Sequence, residues 1–124
     1  MLYVCSMNIE KTQAQMKKGV LEFCILSIIS GKEVYASDIL DELKTSELIV
    51  VEGTLYPLLT RLKNEGLLSY RWEESKSGPP RKYYEITEIG KTVLLELDNS
   101  WKELVNAVDN ITKITKTETK TQSK

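Results

Sequence analysis

A mainly α fold carrying one small β-hairpin is predicted for this chain of 124 residues. Three observations predict it. Apolar residues recur at spacings of three and four through most of the chain, the period of amphipathic helices. Between Leu68 and Ile86 the period drops to two on either side of a Gly/Pro/Ser cluster, the mark of a hairpin. The length fits one domain and leaves no room for a second independent one.

The elements follow in order. Met1–Ile9 has no clear period, and Met7 is an alternative start. Thr12-Gln-Ala-Gln15 has the spacing of a capping box, so the first helix is expected from there to Ser30. Val20, Leu21, Phe23, Cys24, Ile25, Leu26, Ile28 and Ile29 make it apolar nearly all round, which predicts a buried central helix. Gly31 is expected as its left-handed cap. Glu33–Ala36 reads as a connector, and Ser37 as the N-cap of a short helix, Asp38–Lys44, buried by Ile39, Leu40 and Leu43.

Ile49–Val51 fits strand or loop. The third helix is expected over Gly53–Glu65, because Pro57 belongs in a first helical turn and Gly66 is a stop. Leu55, Leu58, Leu59 and Leu62 form its apolar stripe. Leu68, Tyr70 and Trp72 then alternate with polar residues, and the alternation resumes in Lys82–Ile86. The intervening loop, Ser75–Pro80, reads as too long for a tight turn and is expected to project into solvent. Thr87 caps a last helix of about Glu88–Thr112, whose stripe is Ile89, Val93, Leu97, Trp101, Leu104, Val108 and Ile111. That helix is roughly 36 Å long at 1.5 Å per residue, longer than so small a body. Part of its stripe therefore needs a second copy to cover it. Lys113–Lys124 is Thr- and Lys-rich and is expected to be disordered.

Composition narrows the chemistry. There is no histidine, so imidazole base, metal-ligand and pH-switch roles are excluded. Cys5 and Cys24 form no C-x-x-C, which argues against zinc, thioredoxin-like and disulfide-scaffold readings. No metal and no cofactor are expected. The longest apolar run, Val20–Ile29, is too short for a membrane span, and Met1–Ser6 lacks the make-up of a secretion signal, so a cytoplasmic protein without a membrane partner is expected. Net charge is −1, but it is segregated: residues 54–84 carry six basic and three acidic groups, while residues 1–53 and 85–110 are acidic. The acidic segments are expected to face away from any nucleic acid.

Two helices joined by a turn and followed directly by a hairpin make the winged helix-turn-helix plan. The second helix of the pair then lies in the major groove of double-stranded DNA. Thr54, Tyr56, Thr60, Arg61 and Lys63 are its exposed polar residues, suited to phosphate oxygens and, for the cations, to guanine. Lys76, Gly78, Arg81 and Lys82 give the hairpin a basic projection able to enter a minor groove or lie along the backbone. Pro79 and Pro80 stiffen it.

Gly53-Thr-Leu-Tyr-Pro-Leu-Leu-Thr-Arg-Leu-Lys-Asn-Glu-Gly-Leu67 resembles the recognition-helix signature of PadR-type transcriptional regulators. Gly78-Pro-Pro-Arg-Lys-Tyr-Tyr-Glu-Ile-Thr87, followed by Gly90, resembles their wing and the start of their last helix. Lys18–Ile29 is similar to their first helix, and the likeness covers about Met16–Asn110. The family usually opens its second helix with a Tyr-Gly-Tyr-like run: Tyr35 matches it, while Ala36 and Ser37 depart, though Ser37 remains able to donate a hydrogen bond to phosphate from the helix N-terminus.

The resemblance implies a bacterial homodimer of the small subfamily with a single C-terminal helix. It implies repression at a pseudo-palindromic operator of genes for detoxification, phenolic-acid metabolism or efflux. Ser37, Thr54, Tyr56, Thr60, Arg61, Lys63, Lys76, Gly78, Arg81, Lys82 and Tyr83 become the DNA-binding residues. Phe23, Val93, Leu97, Trp101, Leu104, Val105 and Val108 become the dimer interface, where a small planar aromatic effector would sit. The chain then divides into a flexible extension (1–12), a winged helix-turn-helix DNA-binding domain (13–86), a long C-terminal dimerisation helix (87–112) and a disordered tail (113–124).

Three rivals remain. One is a winged-helix module that binds protein rather than DNA, against which the basic wing weighs. Another is a DNA-binding dimer without an effector, its centre filled by Trp101 and leucines. The third is a small enzyme, which the absence of histidine, of a Ser or Cys beside a base, and of a glycine-rich phosphate loop argues against.

Overall fold

A computed structural model describes residues 8–48 and 50–123, and of residues 114–123 the helical backbone. The order is α1 (Ile9–Gly31), β1 (Val34–Tyr35), α2 (Ala36–Thr45), α3 (Glu52–Asn64), β2 (Leu68–Ser75), β3 (Gly78–Ile86) and α4 (Glu88–Ser123). The chain forms two compact units, Met1–Leu94 and Leu95–Lys124. It is mostly helical with a small antiparallel sheet, as the periodicities predict. Among the described residues no helix is long and apolar enough to cross a membrane.

In the first unit the helices close over one apolar core. Leu21, Ile25, Leu26 and Ile29 of α1 meet Ile39 and Leu43 of α2, Leu55, Leu59 and Leu62 of α3, and Val34, Leu68 and Tyr84 of the sheet, all buried. Their spacing explains the elements: α3 buries positions i, i+4 and i+7, one stripe of a 3.6-residue helix. Truncating any of these leucines to alanine costs about 2–5 kcal/mol.

Several expectations are corrected here. α1 starts at Ile9, not beyond Thr12, because Asn8 caps it: its Oδ1 accepts from the Lys11 N–H at 3.3 Å. Residues 8–12 thus belong to the helix and its cap; residues 1–7 lie outside the described residues. Only one face of α1 is buried, and Val20, Phe23, Cys24 and Ile28 are half-buried. Gly31 is not left-handed; the chain leaves α1 through extended Lys32 straight into β1. Ser37 is the second helical residue of α2, and Tyr35 is the N-cap, its N–H donating to the Asp38 carboxylate at 3.0 Å.

Pro57 sits in the second turn of α3 rather than the first. The carbonyl it leaves without a donor is that of Gly53, on the exposed side of the helix. α4 continues to Ser123, past the expected end at Thr112. That end followed the last apolar residues rather than a stop signal, and no Gly or Pro occurs after Gly90.

Both helices of the turn motif end alike. After α3, the Gly66 N–H donates to Lys63 at 3.0 Å and the Leu67 N–H to Leu62 at 2.9 Å, with Gly66 at φ 83°. After α2, Glu47 N–H donates to Lys44 at 2.9 Å and Leu48 N–H to Leu43 at 2.8 Å, with Glu47 at φ 66°. These are Schellman closures, which need a left-handed residue. Glycine supplies it once; glutamate bears the strain the other time.

The sheet has three strands in the order β1-β3-β2, one more than the hairpin expected. Val34 pairs with Tyr84 and Tyr35 with Tyr83; on the other side Tyr70 pairs with Tyr84, Trp72 with Lys82 and Glu73 with Arg81. A two-residue strand shows no alternation, so β1 reads as a connector until its partner is known. The loop expected at Ser75–Pro80 is also tighter: Ser75 pairs with Gly78, leaving Lys76 and Ser77 as the turn. Pro79 and Pro80 lie in β3 where the register slips between Glu73 and Ser75. Proline donates no ladder hydrogen bond, so it belongs at such an irregularity.

Thr87 joins hairpin to last helix. Its hydroxyl lies 2.7 Å from the Gly66 carbonyl and 3.1 Å from that of Leu67, and it accepts from the Gly90 N–H at 3.0 Å. Gly90 packs so closely here that a Cβ would lie 2.2 Å from the Leu67 oxygen.

Candidate nucleic-acid interface

β1 and β3 bring two tyrosines side by side, and the wing adds cations to them. Tyr35 stacks on Tyr83 with ring centres 4.7 Å apart. The Arg81 guanidinium lies 3.8 Å from the Tyr35 ring centre, and that of Arg71 lies 4.7 Å from the centre of Tyr83. The result is a four-layer sequence of cation, ring, ring, cation. Arg71 is held further by Glu33 and Glu73. Such contacts contribute about 0.5–1 kcal/mol each at exposed sites, and together they fix the base of the wing to the N-terminus of α2.

The opposite sheet face carries a second aromatic group. Tyr70 meets Trp72 edge-on at 6.0 Å and Tyr84 at 5.8 Å. Lys82 Nζ lies 4.5 Å from the Tyr70 ring centre and 5.5 Å from that of Trp72; Lys63 Nζ of α3 approaches Tyr70 at 5.7 Å. Burial pushes the Tyr84 hydroxyl above its ordinary value, with smaller contributions from Tyr56 and Tyr70. The folded hydroxyl therefore keeps its proton below the ordinary value of 10.0. Trp72, which shares the alternation of Leu68 and Tyr70, is 61% exposed.

Between α2, α3 and the wing lies an open cleft of about 370 Å³, bordered by Ser37 of α2, Tyr56 and Thr60 of α3, and Arg81 and Lys82 of β3. Five residues expected to touch DNA thus share one concave surface. Tyr35, Trp72, Pro80 and Tyr84 line it too, and the sequence did not single them out for it. The register of β1 on β3 is what places Tyr35 beside the wing.

The other expected residues lie elsewhere. Lys76 and Gly78 are exposed at the wing tip. Tyr83 is half-buried between Tyr35 and Arg71. Arg61 forms an ion pair with Glu22 of α1, on the flank of α3 away from the wing. Thr54 borders a different groove, formed with α1. Of the residues expected at a dimer interface, Phe23 of α1 and Val93 of α4 are half-buried in the first unit. In the second, Leu97 and Val105 are half-buried, while Trp101, Leu104 and Val108 are 41%, 53% and 46% exposed. Among the described residues no three His, Cys, Asp or Glu side chains are placed to hold a metal ion.

This site is set in a chain with recognisable relatives. The sequence model described as the Transcriptional regulator PadR-like family matches residues 25–96. A crystal structure of a PadR-like transcription factor from Bacteroides fragilis is 57% identical, covers 82% of this chain and 98% of its own, and superposes with a TM-score of 0.70. A PadR-like transcriptional regulator from Bacillus cereus is 44% identical over 78% of this chain and 95% of its own, with a TM-score of 0.69. A transcriptional regulator of Mycobacterium tuberculosis is 30% identical over 94 residues, 76% of this chain and 87% of its own. These relatives are regulators of transcription, not enzymes.

Proposed function

Since the chain belongs to the PadR-like family of winged-helix, DNA-binding transcriptional regulators, we propose that it acts as a homodimeric repressor of a pseudo-palindromic operator. One observation carries the DNA contact: hydroxyls of α2 and α3 and cations of the wing border a single cleft. In this reading α3 enters the major groove. Tyr56, Thr60 and Ser37 donate to phosphate oxygens, and Arg81 and Lys82 hold the backbone beside the wing. Lys76 and Gly78 reach the adjacent minor groove. Thr54 and Lys63 contact the backbone at either edge of α3. Arg61 contributes once released from Glu22, and Tyr83 acts from beneath, by supporting Tyr35.

The dimer rests on α4. Trp101, Leu104 and Val108 expose a stripe of large apolar side chains, and a second copy is the simplest cover. Residues 13–86 then serve DNA binding and 87–112 dimerisation. Two wings held by one rigid dimer would meet grooves about 34 Å apart. Trp101 and its counterpart, with Leu97 and Val105, would offer apolar space to a planar aromatic effector that relieves repression.

Titrating the protein into labelled DNA from upstream of its own gene tests the reading, together with its mass in solution. Preferred binding that weakens steeply with salt, by a particle of twice the chain mass, supports it. A monomer, or binding indifferent to salt, contradicts it.

A further inference from the structure

The wing covers one flank of α3. The other faces the N-terminal half of α1 across a shallow groove of about 560 Å³. Lys17 and Lys18 line it, together with Gln13, Val51 and Thr54; Glu10 is its acidic member. Thr54 lies in the first turn of α3, so this groove adjoins the start of the helix placed in the major groove.

Neither Lys17 nor Lys18 has an ion-pair partner among the described residues, and both are exposed. The next cation along the flank, Arg61, is paired with Glu22. Among the described residues Lys17 and Lys18 are therefore unpaired cations lining this groove. By net charge alone, residues 1–53 look unsuited to DNA; the fold sets two of their five cations beside α3.

A helix in the major groove has a phosphate backbone on each side, about 12 Å apart. The cleft with Arg81 and Lys82 serves one. We infer that Lys17 and Lys18 hold the other, making α1 a second backbone clamp on the flank opposite the wing. The inference rests on the DNA-binding reading above and extends its interface to a helix otherwise given over to the core. Glu10 lies about two turns before Lys17 on α1 and limits the clamp to the stretch facing Thr54.

Each lysine that neutralises a phosphate adds about 0.9 to the slope of log K against log salt, or roughly tenfold in affinity at 0.1 M salt. The double variant K17Q/K18Q should bind the operator with a slope shallower by one to two, at an unchanged thermal midpoint. K17R/K18R should restore the slope. Hydroxyl-radical footprinting should show the double variant losing protection on one strand only, at the edge of each half-site. An unchanged slope and footprint in K17Q/K18Q overturns the inference while leaving the wing and α3 as the interface. Absence of salt-dependent binding by the unsubstituted protein overturns the DNA-binding reading itself.

Discussion

The Arg81 guanidinium lies 3.8 Å from the centre of the Tyr35 ring, so a wing residue is stacked on the residue that caps α2. Behind Tyr35 the stack continues into Tyr83 and Arg71. The wing is therefore not held by its hairpin alone. Its orientation relative to the helix-turn-helix is set by aromatic and cationic contacts on one sheet face.

Removing that anchor should loosen the wing before it unfolds the domain. Tyr35→Ala is expected to cost about 1–2 kcal/mol of stability, from one stacked ring pair and one cation–π contact. DNA affinity should fall about tenfold, the loss expected if Arg81 is no longer pointed at phosphate. Tyr35→Phe, which keeps the ring, should leave both near their starting values. Urea melts and operator titrations of the two variants measure this.

Gly90 admits no side chain. A Cβ there would lie 2.2 Å from the Leu67 oxygen and 2.7 Å from Ile86 Cγ1. The Leu67 carbonyl is already engaged by the Thr87 N–H at 3.1 Å, which limits how it can move. Gly90→Ala should lower stability by about 3 kcal/mol or more, an overpacking cost at a backbone contact. Chemical denaturation reads it directly.

Glu47 is the reverse case. It holds φ 66° to close the end of α2, a conformation glycine adopts without a Cβ penalty. Glu47→Gly should raise stability by about 0.5–1 kcal/mol, where the same change inside a helix would lower it by a similar amount. A rise in thermal midpoint of a few degrees checks this.

The Glu22–Arg61 pair restrains a cation of α3. Glu22→Gln should tighten operator binding about threefold and steepen the salt slope by up to one, as Arg61 becomes available to phosphate. Stability should change little, because both side chains are partly exposed to solvent and such pairs contribute under about 1 kcal/mol. The same substitution in an Arg61→Ala background should have no effect on binding.

Tyr84 gives the domain an alkaline limit. Burial raises its hydroxyl above the ordinary 10.0, so the folded state favours the neutral form. Below the ordinary value both folded and unfolded chains hold the proton, and stability does not depend on this group. As pH rises past it, the unfolded chain ionises first, and stability falls until the folded value is passed. Tyr84→Phe should flatten that part of the profile, measured by melts between about pH 9 and pH 11.

The helices and the wing were legible because their signals are local. The stripe of Leu55, Leu59 and Leu62, the stop at Gly66 and the alternation around Tyr70 each lie within one element. What escaped was set by partners distant in sequence. β1 exists only because Val34 and Tyr35 find Tyr84 and Tyr83 some fifty residues on. Trp72 shares the alternation of Leu68, yet its place on the strand lies beyond the core that covers Leu68. The pairing of Arg61 with Glu22 depends on how α1 crosses α3. The candidate site was read in the same proportion: Ser37, Tyr56, Thr60, Arg81 and Lys82 share the cleft, while Tyr35, its organising ring, was hidden in what read as a connector.

The central claim is that wing and recognition helix hold DNA through one cleft. The most direct measurement compares the unsubstituted protein with Arg81→Ala on upstream DNA across salt concentrations from about 0.05 to 0.2 M. The account predicts a steep slope for the former, a slope shallower by about one for the variant, and affinities that converge as salt rises. Equal slopes and equal affinities for the two proteins would contradict it.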